Sequence, residues 1–386
     1  MADFNKRIAA RLADLDVAGR RRVLRAFDAR DPRLIDVSSN DYLGLSRHPL
    51  LIERACEWTR SHGAGSRASR LITGTSQALL DLERKLAAFK GTEAALIFAT
   101  GYQLNASVLP ALFELHAPNE KPLLFTDRLN HASLHAGCQG VHQIRYRHND
   151  LAHLEELLLT NPGTLRFIIT ESVFSMDGDR ADVATLAALA ERHGAVLYLD
   201  EAHATGVLGP NGRGLATLAR SGLPAASLVV MGTLGKALGS AGAYVAGSRV
   251  LIDWLVNRSA GLIYSTAPAP AALGAVDAAL DLLPGMDAER EQLQQMAAQL
   301  RDALHDRGYD TLASTTQIVP AIVGNEENAL AAAEQLEGAG VLAMPIRPPT
   351  VPAGSSRLRF TLSSALSESQ FKHLLDAIAA LSPRGA

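Results

Sequence analysis

Residues 167–203 read FIITESVFSMDGDRADVATLAALAERHGAVLYLDEAH and place two short apolar runs on either side of a helix-length segment. FIITES (167–172) and VLYLD (196–200) have the length and the near-continuous apolar character of strands in a parallel sheet. Similar runs occur at ALIFA (95–99), LLFTD (123–127) and LVVMG (228–232), and a returning strand is expected at Ala241–Ala246. This alternation predicts βαβ units, and hence an α/β fold with a mainly parallel mixed sheet flanked by helices.

The two ends of the chain differ from this central part. Ile8, Leu12 and Leu15 recur at helical spacing and predict a surface helix before residue 20. Beyond Pro284-Gly285 we predict an α+β module with helices near 288–306 and 327–338, strands at Ile318–Val323 and Arg357–Leu362 (half-buried), and a last helix capped by Ser367 and Gln370. The sequence thus predicts an N-terminal helical segment (1–42), a large domain (43–284) and a smaller C-terminal α+β domain (285–386).

Composition narrows the class of protein. The 386 residues are 47% hydrophobic and 20% charged, enough for a large core and a second smaller one. A net charge of −3 gives no basic excess, so no nucleic-acid partner is expected. The most apolar stretch, 228–247, is interrupted by Lys236 and rich in glycine, which argues against a membrane span. The first residues lack the apolar core of a secretory signal and the two cysteines form no CxxC pair, so we expect a cytoplasmic protein.

Three polar residues follow the carboxyl ends of predicted strands. Asp200 ends VLYLD, Ser175 follows FIITES and Lys236 follows LVVMG. In open α/β sheets, ligands bind in the crevice beyond these strand ends. The sequence therefore predicts a site at this edge.

Lys236 lies in GTLGKALGSAG (232–242), an apolar and glycine-rich setting. Partial burial of a lysine lowers its pKa and increases the free amine that attacks carbonyl groups. A surface lysine in a loop is the ordinary alternative. The position directly after a buried strand favours the nucleophile.

Asp200-Glu201-Ala202-His203 is compatible with two functions. A buried carboxylate at a strand end can keep a pyridine nitrogen protonated, and His203 can reach a phenolic oxygen of the same ring. The alternative is the DEAH box of an ATPase, which requires an upstream G-x-x-x-x-G-K-[ST] loop. The chain offers only Gly232-x-x-Gly235-Lys236-Ala237, downstream of the acid, so we favour the first interpretation.

Further candidates have ordinary structural alternatives. His131 could stack on a flat cofactor or be a structural histidine, and its spacing from His135 lacks the third ligand of a metal site, so no metal is expected. Thr100-Gly101-Tyr102 and Thr233 suit a phosphate, because glycine lets the backbone approach closely and threonine supplies a hydroxyl. Arg347 and Arg359 are candidates for a substrate carboxylate, whereas the neighbouring Arg357 could be an exposed strand charge.

The chain resembles the α-oxoamine synthases, fold-type I pyridoxal-phosphate enzymes that condense an amino acid with an acyl thioester and release carbon dioxide. The resemblance rests on seven segments in order: SNDYLGLS (39–46), TGTSQALLDLE (73–83), DRLNHASL (127–134), ESVFSMDGD (171–179), DEAHATGVLGPNGRG (200–214), GTLGKALG (232–239) and IYSTAP (263–268). These cover nearly the whole chain.

The resemblance implies roles for individual residues. Pyridoxal 5′-phosphate would form an imine with Lys236, with Asp200 at the pyridine nitrogen, His203 at the ring oxygen and His131 stacked on the ring. Ser175, Thr233 and the Gly101-Tyr102 backbone would surround the phosphate and ring. Thr266 would reach the phosphate of a neighbouring subunit, which implies a homodimer with a shared site. Substrate contacts would come from Asn40, Arg20 (or one of its neighbours Arg21 and Arg22), Arg347 and Arg359.

The segments IYSTAP and IRPPTVPAGSSRLR (346–359) favour particular substrates within that family. They resemble the member that uses L-alanine and a pimeloyl thioester, carried by coenzyme A or by an acyl carrier protein. Members that use glycine or serine (2-amino-3-oxobutyrate ligase, 5-aminolevulinate synthase and serine palmitoyltransferase) share the cofactor residues and remain alternatives.

Overall fold

The computed structural model describes residues 2–27, 31, 33–224 and 227–382. The chain forms two compact units. The large unit comprises Asn40–Ser175 and Arg180–Gln292, and the small unit comprises Met1–Ser39, Met176–Asp179 and Leu293–Ala386. The domain boundaries drawn from the sequence stay a prediction.

The strands, in chain order, are β1 (Ile35–Asp36), β2 (Ala94–Phe98), β3 (Leu123–Asp127), β4 (Gln143–Tyr146), β5 (Arg166–Glu171), β6 (Ala195–Asp200), β7 (Leu228–Thr233), β8 (Ala243–Gly247), β9 (Ile318–Gly324), β10 (Val341–Leu342), β11 (Met344–Ile346) and β12 (Ser356–Thr361). The helices are α1 (Ala2–Val17), α2 (Pro49–His62), α3 (Gln77–Lys90), α4 (Gly101–Phe113), α5 (Ala132–Gly137), α6 (Leu151–Thr160), α7 (Val183–Arg192), α8 (Arg249–Arg258), α9 (Ala260–Ile263), α10 (Pro270–Leu282), α11 (Asp287–Asp306), α12 (Glu326–Gly338) and α13 (Glu368–Ala380).

The large unit is built on a seven-stranded sheet in the order β2-β8-β7-β6-β5-β3-β4. Neighbouring strands from β7 to β4 run parallel, whereas β8 is antiparallel to both β7 and β2. The strands at the centre are almost fully buried because helices cover both faces, which explains their continuous apolar sequences. The parallel strands end at one edge, where ligands of such sheets bind.

The predicted mixed, mainly parallel sheet is confirmed. Each apolar run identified in the sequence is a strand within one or two residues of its predicted bounds, and the returning strand is β8. Sequence reasoning missed β4 (QIRY) at the edge of the sheet, where polar and apolar residues alternate and Tyr146 alone of the four is buried. A four-residue edge strand with one buried residue is too short to produce a clear hydrophobic signal.

In the small unit, β9, β11 and β12 form an antiparallel sheet in the order β11-β12-β9, and β1 pairs with β10 in parallel. The capping box predicted for the last helix is present, with Ser367 and Gln370 exchanging hydrogen bonds. The predicted surface helix before residue 20 is present, and its residues 3–17 are exposed.

The prediction that 357–362 is half-buried was wrong, since every residue of β12 is buried. The exposed alternative considered for Arg357 was wrong as well. The Arg357 guanidinium is 4% exposed and forms an ion pair with Asp177 of the same unit, while it also donates to the Met176 carbonyl at 3.2 Å. A buried arginine persists where carboxylate and carbonyl oxygens satisfy its N–H groups.

No helix within the described ranges combines the length and the apolar character needed to cross a lipid bilayer.

Candidate functional site

A cavity of about 220 Å³ opens in the large unit at the carboxyl ends of its parallel strands. It is lined by seven residues predicted from the sequence (Gly101, Tyr102, His131, Asp200, His203, Thr233 and Lys236) and by Asn105, Ser133, Glu171, Ala202 and Met231. The fold thus brings an amine, two imidazoles and two carboxylates to one place, from four separate segments of the chain.

The loop between β7 and β8 holds Lys236. Its turn depends on Gly239, which has φ +66°, and a Cβ there would lie 2.4 Å from the backbone nitrogen of Ser46. The loop is closed by two backbone bonds, from Leu234 N–H to the Gly242 carbonyl at 2.9 Å and from Ser240 N–H to the Leu234 carbonyl at 3.0 Å. Lys236 is half-buried as predicted, and its Nζ lies 2.9 Å from His203 Nε2.

Asp200 ends β6 and is 4% exposed. Its carboxylate accepts hydrogen bonds from Ala202 N–H at 2.9 Å and from Asn105 Nδ2 at 3.2 Å. Burial raises the pKa of Asp200 above its ordinary value, while the Lys236 ammonium and the two donors act in the opposite direction. The carboxylate is therefore held in a fixed orientation in a poorly hydrated place.

Asn105, one turn into α4, is the centre of a buried hydrogen-bond network. Its amide donates to Asp200 and also to Ser133 Oγ at 2.9 Å, and its carbonyl oxygen accepts from the Tyr198 hydroxyl at 2.6 Å. Ser133 Oγ lies 2.8 Å from His131 Nδ1. The network links the orientation of Asp200 to that of the His131 ring.

His131 has the structural role considered for it. Its Nδ1 accepts from Ser133 N–H at 3.2 Å, which caps α5, and its ring lines the cavity. Burial lowers the pKa of His131. Asp200 acts in the opposite direction, whereas Lys236 and His135 lower the pKa further. The lowered pKa favours the neutral imidazole, and stacking on a cofactor stays a prediction.

Glu171 is a second buried carboxylate beside the first. It ends β5, is paired in register with Asp200 on β6, and accepts from His131 N–H at 2.5 Å. Burial and the neighbouring Asp200 raise the pKa of Glu171 well above its ordinary value.

The start of α4 forms another wall of the cavity. Thr100 caps the helix by accepting from Gln103 N–H at 3.1 Å, and Gly101 follows as the first helical residue. A Cβ at Gly101 would lie 2.9 Å from Thr233 Cγ2, so glycine is needed for the two segments to approach. A helix N-terminus beside a threonine is suited to a phosphate group.

Several predicted residues do not line this cavity. Ser175 lies in the turn after β5, and the exposed Thr266 forms a bridge with Ser69. In the small unit, Arg20 and Arg347 line a separate cavity of about 160 Å³ together with Arg22 and Thr350.

Three of the predicted substrate residues have a partner within their own unit, and the fourth, Arg359, is buried. Arg20 forms an ion pair with Glu326 at 2.9 Å, Arg347 donates to the Gly19 carbonyl, and Arg359 is buried on β12. Asn40 belongs to the large unit and accepts from the Tyr42 hydroxyl at 3.0 Å.

Comparison with known proteins agrees with this arrangement. The family model of class I and II aminotransferases matches residues 32–378. An 8-amino-7-oxononanoate synthase from Gluconacetobacter diazotrophicus is 55% identical over 392 residues, which covers 98% of this chain and 97% of that protein. The chain belongs to the 8-amino-7-oxononanoate synthase family. The resemblance to the α-oxoamine synthases is thereby confirmed.

Solved structures support the same fold. A serine palmitoyltransferase from S. paucimobilis, with a bound PLP–myriocin aldimine, has a TM-score of 0.87 at 26% identity and covers 98% of this chain and 97% of its own. An 8-amino-7-oxononanoate synthase from Francisella tularensis has a TM-score of 0.76 at 26% identity, with coverage of 91% and 98%. The fold is therefore that of the fold-type I pyridoxal-phosphate transferases.

Sequence reasoning missed four polar residues near the cavity: Asn105, Ser133, Glu171 and Tyr42. Glu171 carried a usable signal, because it ends the strand next to the one that Asp200 ends. Asn105 lies four residues after Gly101, which is one helical turn, so both residues lie on the same side of α4. A polar residue at that position of a mostly buried helix was the available signal. Tyr42 stands in SNDYLGLS, but nothing in that segment indicates its contact with His203.

Proposed function

We propose that this protein is a pyridoxal-phosphate transferase of biotin biosynthesis that condenses L-alanine with a pimeloyl thioester, releases carbon dioxide and forms 8-amino-7-oxononanoate. The observation that carries the proposal is the Lys236 amine, 2.9 Å from His203 in a cavity that also holds the buried Asp200. The identity of 55% to a synthase of that name over nearly the full length supports the same activity.

The cavity residues fit pyridoxal 5′-phosphate. The site offers an amine for an aldehyde, a buried carboxylate for a ring nitrogen, imidazoles for a ring face and a ring oxygen, and a helix start for a phosphate. When bound, the cofactor supplies an aldehyde that bonds to amines and a protonated ring that withdraws electrons from the α-carbon of an amino acid.

The residues of the chain then have distinct tasks. Lys236 Nζ would hold the cofactor, and its free amine would be the base that removes the α-proton of the amino acid. Asp200 is held by Ala202 N–H and Asn105, and its negative charge would keep the ring nitrogen protonated. His203 would donate to the ring oxygen. His131 would pack on the ring, where a neutral imidazole adds no charge.

The remaining site residues are proposed from the resemblance. Ser175, Thr233, Gly101 and Tyr102 would surround the phosphate and ring. Asn40, Arg20, Arg347 and Arg359 would bind the substrates, and the cavity that Arg20 and Arg347 line is a place where a carboxylate could be bound by two guanidinium groups. An acyl carrier protein, as the alternative to coenzyme A, would be a macromolecular partner.

We also propose a cytoplasmic homodimer. Leu71, Ile72 and Tyr264 are 51%, 75% and 84% exposed, beside the Ser69–Thr266 bridge, and an exposed apolar patch of this kind marks an interface. Thr266 is exposed there, in accordance with a contact to a neighbouring subunit. Sedimentation of the purified protein as a monomer at micromolar concentration would contradict the dimer.

The cofactor assignment is tested with wild type, Lys236→Ala and Lys121→Ala, each supplied with pyridoxal 5′-phosphate. Lys121 is exposed and does not line the cavity, so it controls for the loss of a lysine. Wild type and Lys121→Ala should show a visible absorbance band that borohydride bleaches. Lys236→Ala should lack this band and turn over about 10²–10⁴-fold more slowly. Near-normal turnover without Lys236 contradicts the assignment.

The substrate is tested by exchange of the α-proton in deuterium oxide with L-alanine, glycine and L-serine in separate reactions. We expect exchange with L-alanine, and release of carbon dioxide when pimeloyl-coenzyme A or a pimeloyl carrier protein is added. Exchange confined to glycine or serine would overturn the choice of L-alanine.

The second candidate is a serine palmitoyltransferase, because such a structure has the higher TM-score of the two compared, 0.87 against 0.76. The backbone does not determine the substrate, however, since one fold hosts many activities. Preferential exchange of serine, with consumption of a long-chain acyl thioester, would establish this alternative.

A further inference from the structure

A buried chain of hydrogen bonds connects the amine of the site to the SNDYLGLS segment. Lys236 Nζ lies 2.9 Å from His203 Nε2, and His203 Nδ1 lies 2.6 Å from the Tyr42 hydroxyl. That hydroxyl in turn donates to Asn40 Oδ1 at 3.0 Å. Tyr42 is completely buried and His203 is 5% exposed, so bulk water does not compete for the bond between them, whereas the bonds to Lys236 and Asn40 are part-buried.

Each member of the chain can donate only one proton along it. A neutral imidazole carries one N–H and one lone pair, and a hydroxyl carries one hydrogen. If Tyr42 donates to Asn40, its oxygen is left to accept from an Nδ1–H group, and Nε2 then accepts from Lys236. In the opposite direction Tyr42 donates to Nδ1, and Nε2 then carries the proton and faces the cavity.

We propose that Tyr42 is a positioning residue that selects the tautomer of His203. When the Lys236 amine becomes bonded to the cofactor, it gives up a proton to His203 Nε2, the Nδ1 proton passes to the Tyr42 oxygen, and Tyr42 releases its own proton to water on the half-exposed Asn40 side. Tyr42 then donates to Nδ1, and Nε2–H points toward an anionic oxygen of the ligand. This inference rests on the proposed function, in which Lys236 becomes bonded to the cofactor. The change transfers one proton in total from Lys236 to water along existing hydrogen bonds, with no movement of heavy atoms.

Two features of the site favour this role. The short separation between Tyr42 and His203 leaves no room for water between the hydroxyl and Nδ1. The other titratable groups that line the cavity are Tyr102, His131, Glu171, Asp200 and Lys236. The hydroxyl of Tyr42 contacts His203 from the side away from Lys236. A phenylalanine at position 42 would fill the same space but could neither accept from Nδ1 nor donate to it.

The test compares Tyr42→Phe with Tyr146→Phe in protein whose histidine rings are labelled with ¹⁵N. Tyr146 is equally buried, lies on β4 and is outside the cavity lining, so it controls for the loss of a buried hydroxyl. The ¹⁵N shifts separate protonated from unprotonated ring nitrogens, and a His203→Gln spectrum assigns the His203 signals.

In wild type and in Tyr146→Phe, the His203 proton should move from Nδ1 to Nε2 when pyridoxal 5′-phosphate is added. In Tyr42→Phe this move should be lost or incomplete. The pH midpoint of the cofactor's absorbance change should then rise by about one unit, because the anionic ring oxygen has lost a donor. An unchanged proton position and midpoint in Tyr42→Phe would overturn the proposal.

Asn40→Ala combined with Lys236→Ala gives an independent result in the cofactor-free protein. Without the Lys236 amine at Nε2 and without the Asn40 oxygen, the Tyr42 hydroxyl should donate to Nδ1, so that Nε2 is protonated before any cofactor is added. A proton that stays on Nδ1 in this variant contradicts the proposal, even if Tyr42→Phe does not fold. Failure of wild type to form the absorbance band would refute the proposed function, and this inference with it. A normal band, with a His203 tautomer that the variants leave unchanged, would refute this inference alone.

Discussion

Replacement of Lys90 by methionine should destabilise the large unit by about 3–5 kcal/mol, because it leaves a buried carboxylate without its cation. Lys90 and Glu201 are 1% and 0% exposed, and their charged atoms lie 2.6 Å apart. Burial alone would lower the pKa of Lys90, but Glu201 and Tyr244 reverse this and raise it above its ordinary value, so the amine is charged.

The magnitude follows from what each side chain loses. Lys90 Nζ also donates to the Arg213 carbonyl and lies 5.6 Å from the centre of the Tyr244 ring. In the variant, Glu201 keeps the hydrogen bond from Ala216 N–H at 2.7 Å but loses the positive charge of the Lys90 amine. Methionine fills most of the space of the lysine stem, so the loss is electrostatic rather than a cavity.

Urea unfolding followed by tryptophan fluorescence measures the effect, because Trp58 and Trp254 both belong to the large unit. The control is Arg84→Met on the same helix, α3. Arg84 pairs with Asp81, and their side chains are 63% and 52% exposed, so this change should cost about 0.2–0.5 kcal/mol.

A second variant identifies the cause of the loss. Glu201→Gln added to Lys90→Met removes the unpaired charge and should recover part of the lost free energy. A cost below about 1 kcal/mol for Lys90→Met, or a double variant less stable than the single one, would refute the reasoning.

Two further predictions concern the cavity. Glu171→Gln should raise the melting temperature of the cofactor-free protein near pH 8 and have little effect near pH 4. Burial raises the pKa of Glu171 in the folded protein, so the stability that the protonated acid contributes is lost as the pH rises through this raised pKa. The loss is about 1.4 kcal/mol for each pH unit that separates the pKa of the folded protein from that of the unfolded chain. A difference in melting temperature that does not vary with pH would contradict this. Gly101→Ala should weaken cofactor binding about 10- to 100-fold in a fluorescence titration, because its Cβ would lie 2.9 Å from Thr233 Cγ2. Gly285→Ala, which meets nothing within 4 Å, is the control, and equal affinities for the two variants would contradict the prediction.

The sheet and much of its edge could be predicted because both depend on local sequence. A buried strand requires a continuous apolar run, and Asp200 and Lys236 follow such runs directly, so hydrophobicity and position sufficed. The same reasoning could not predict β4, a short edge strand in which polar and apolar residues alternate, or the burial of Arg357, which depends on Asp177, 180 positions away in the chain.

The supporting residues of the site were hidden for a related reason. Asn105 and Tyr42 act through contacts with residues far away in sequence, Asp200 and His203, and neither stands at a strand end. A buried polar residue shows no periodic signal of its own, since only the assembled fold shows which partner satisfies it.

The two adjacent carboxylates indicate what the cavity is built to receive. Glu171 and Asp200 occupy paired positions on neighbouring strands, and burial raises the pKa of both. Such an arrangement costs stability when the cavity contains one lysine ammonium, because two negative charges then share one nearby cation. A ligand that brings a protonated ring nitrogen relieves this repulsion, so the groups that weaken the cofactor-free protein are those that hold the charged ring. Stability and function are therefore opposed at this edge of the sheet, which is where local rules of protein structure are expected to be broken.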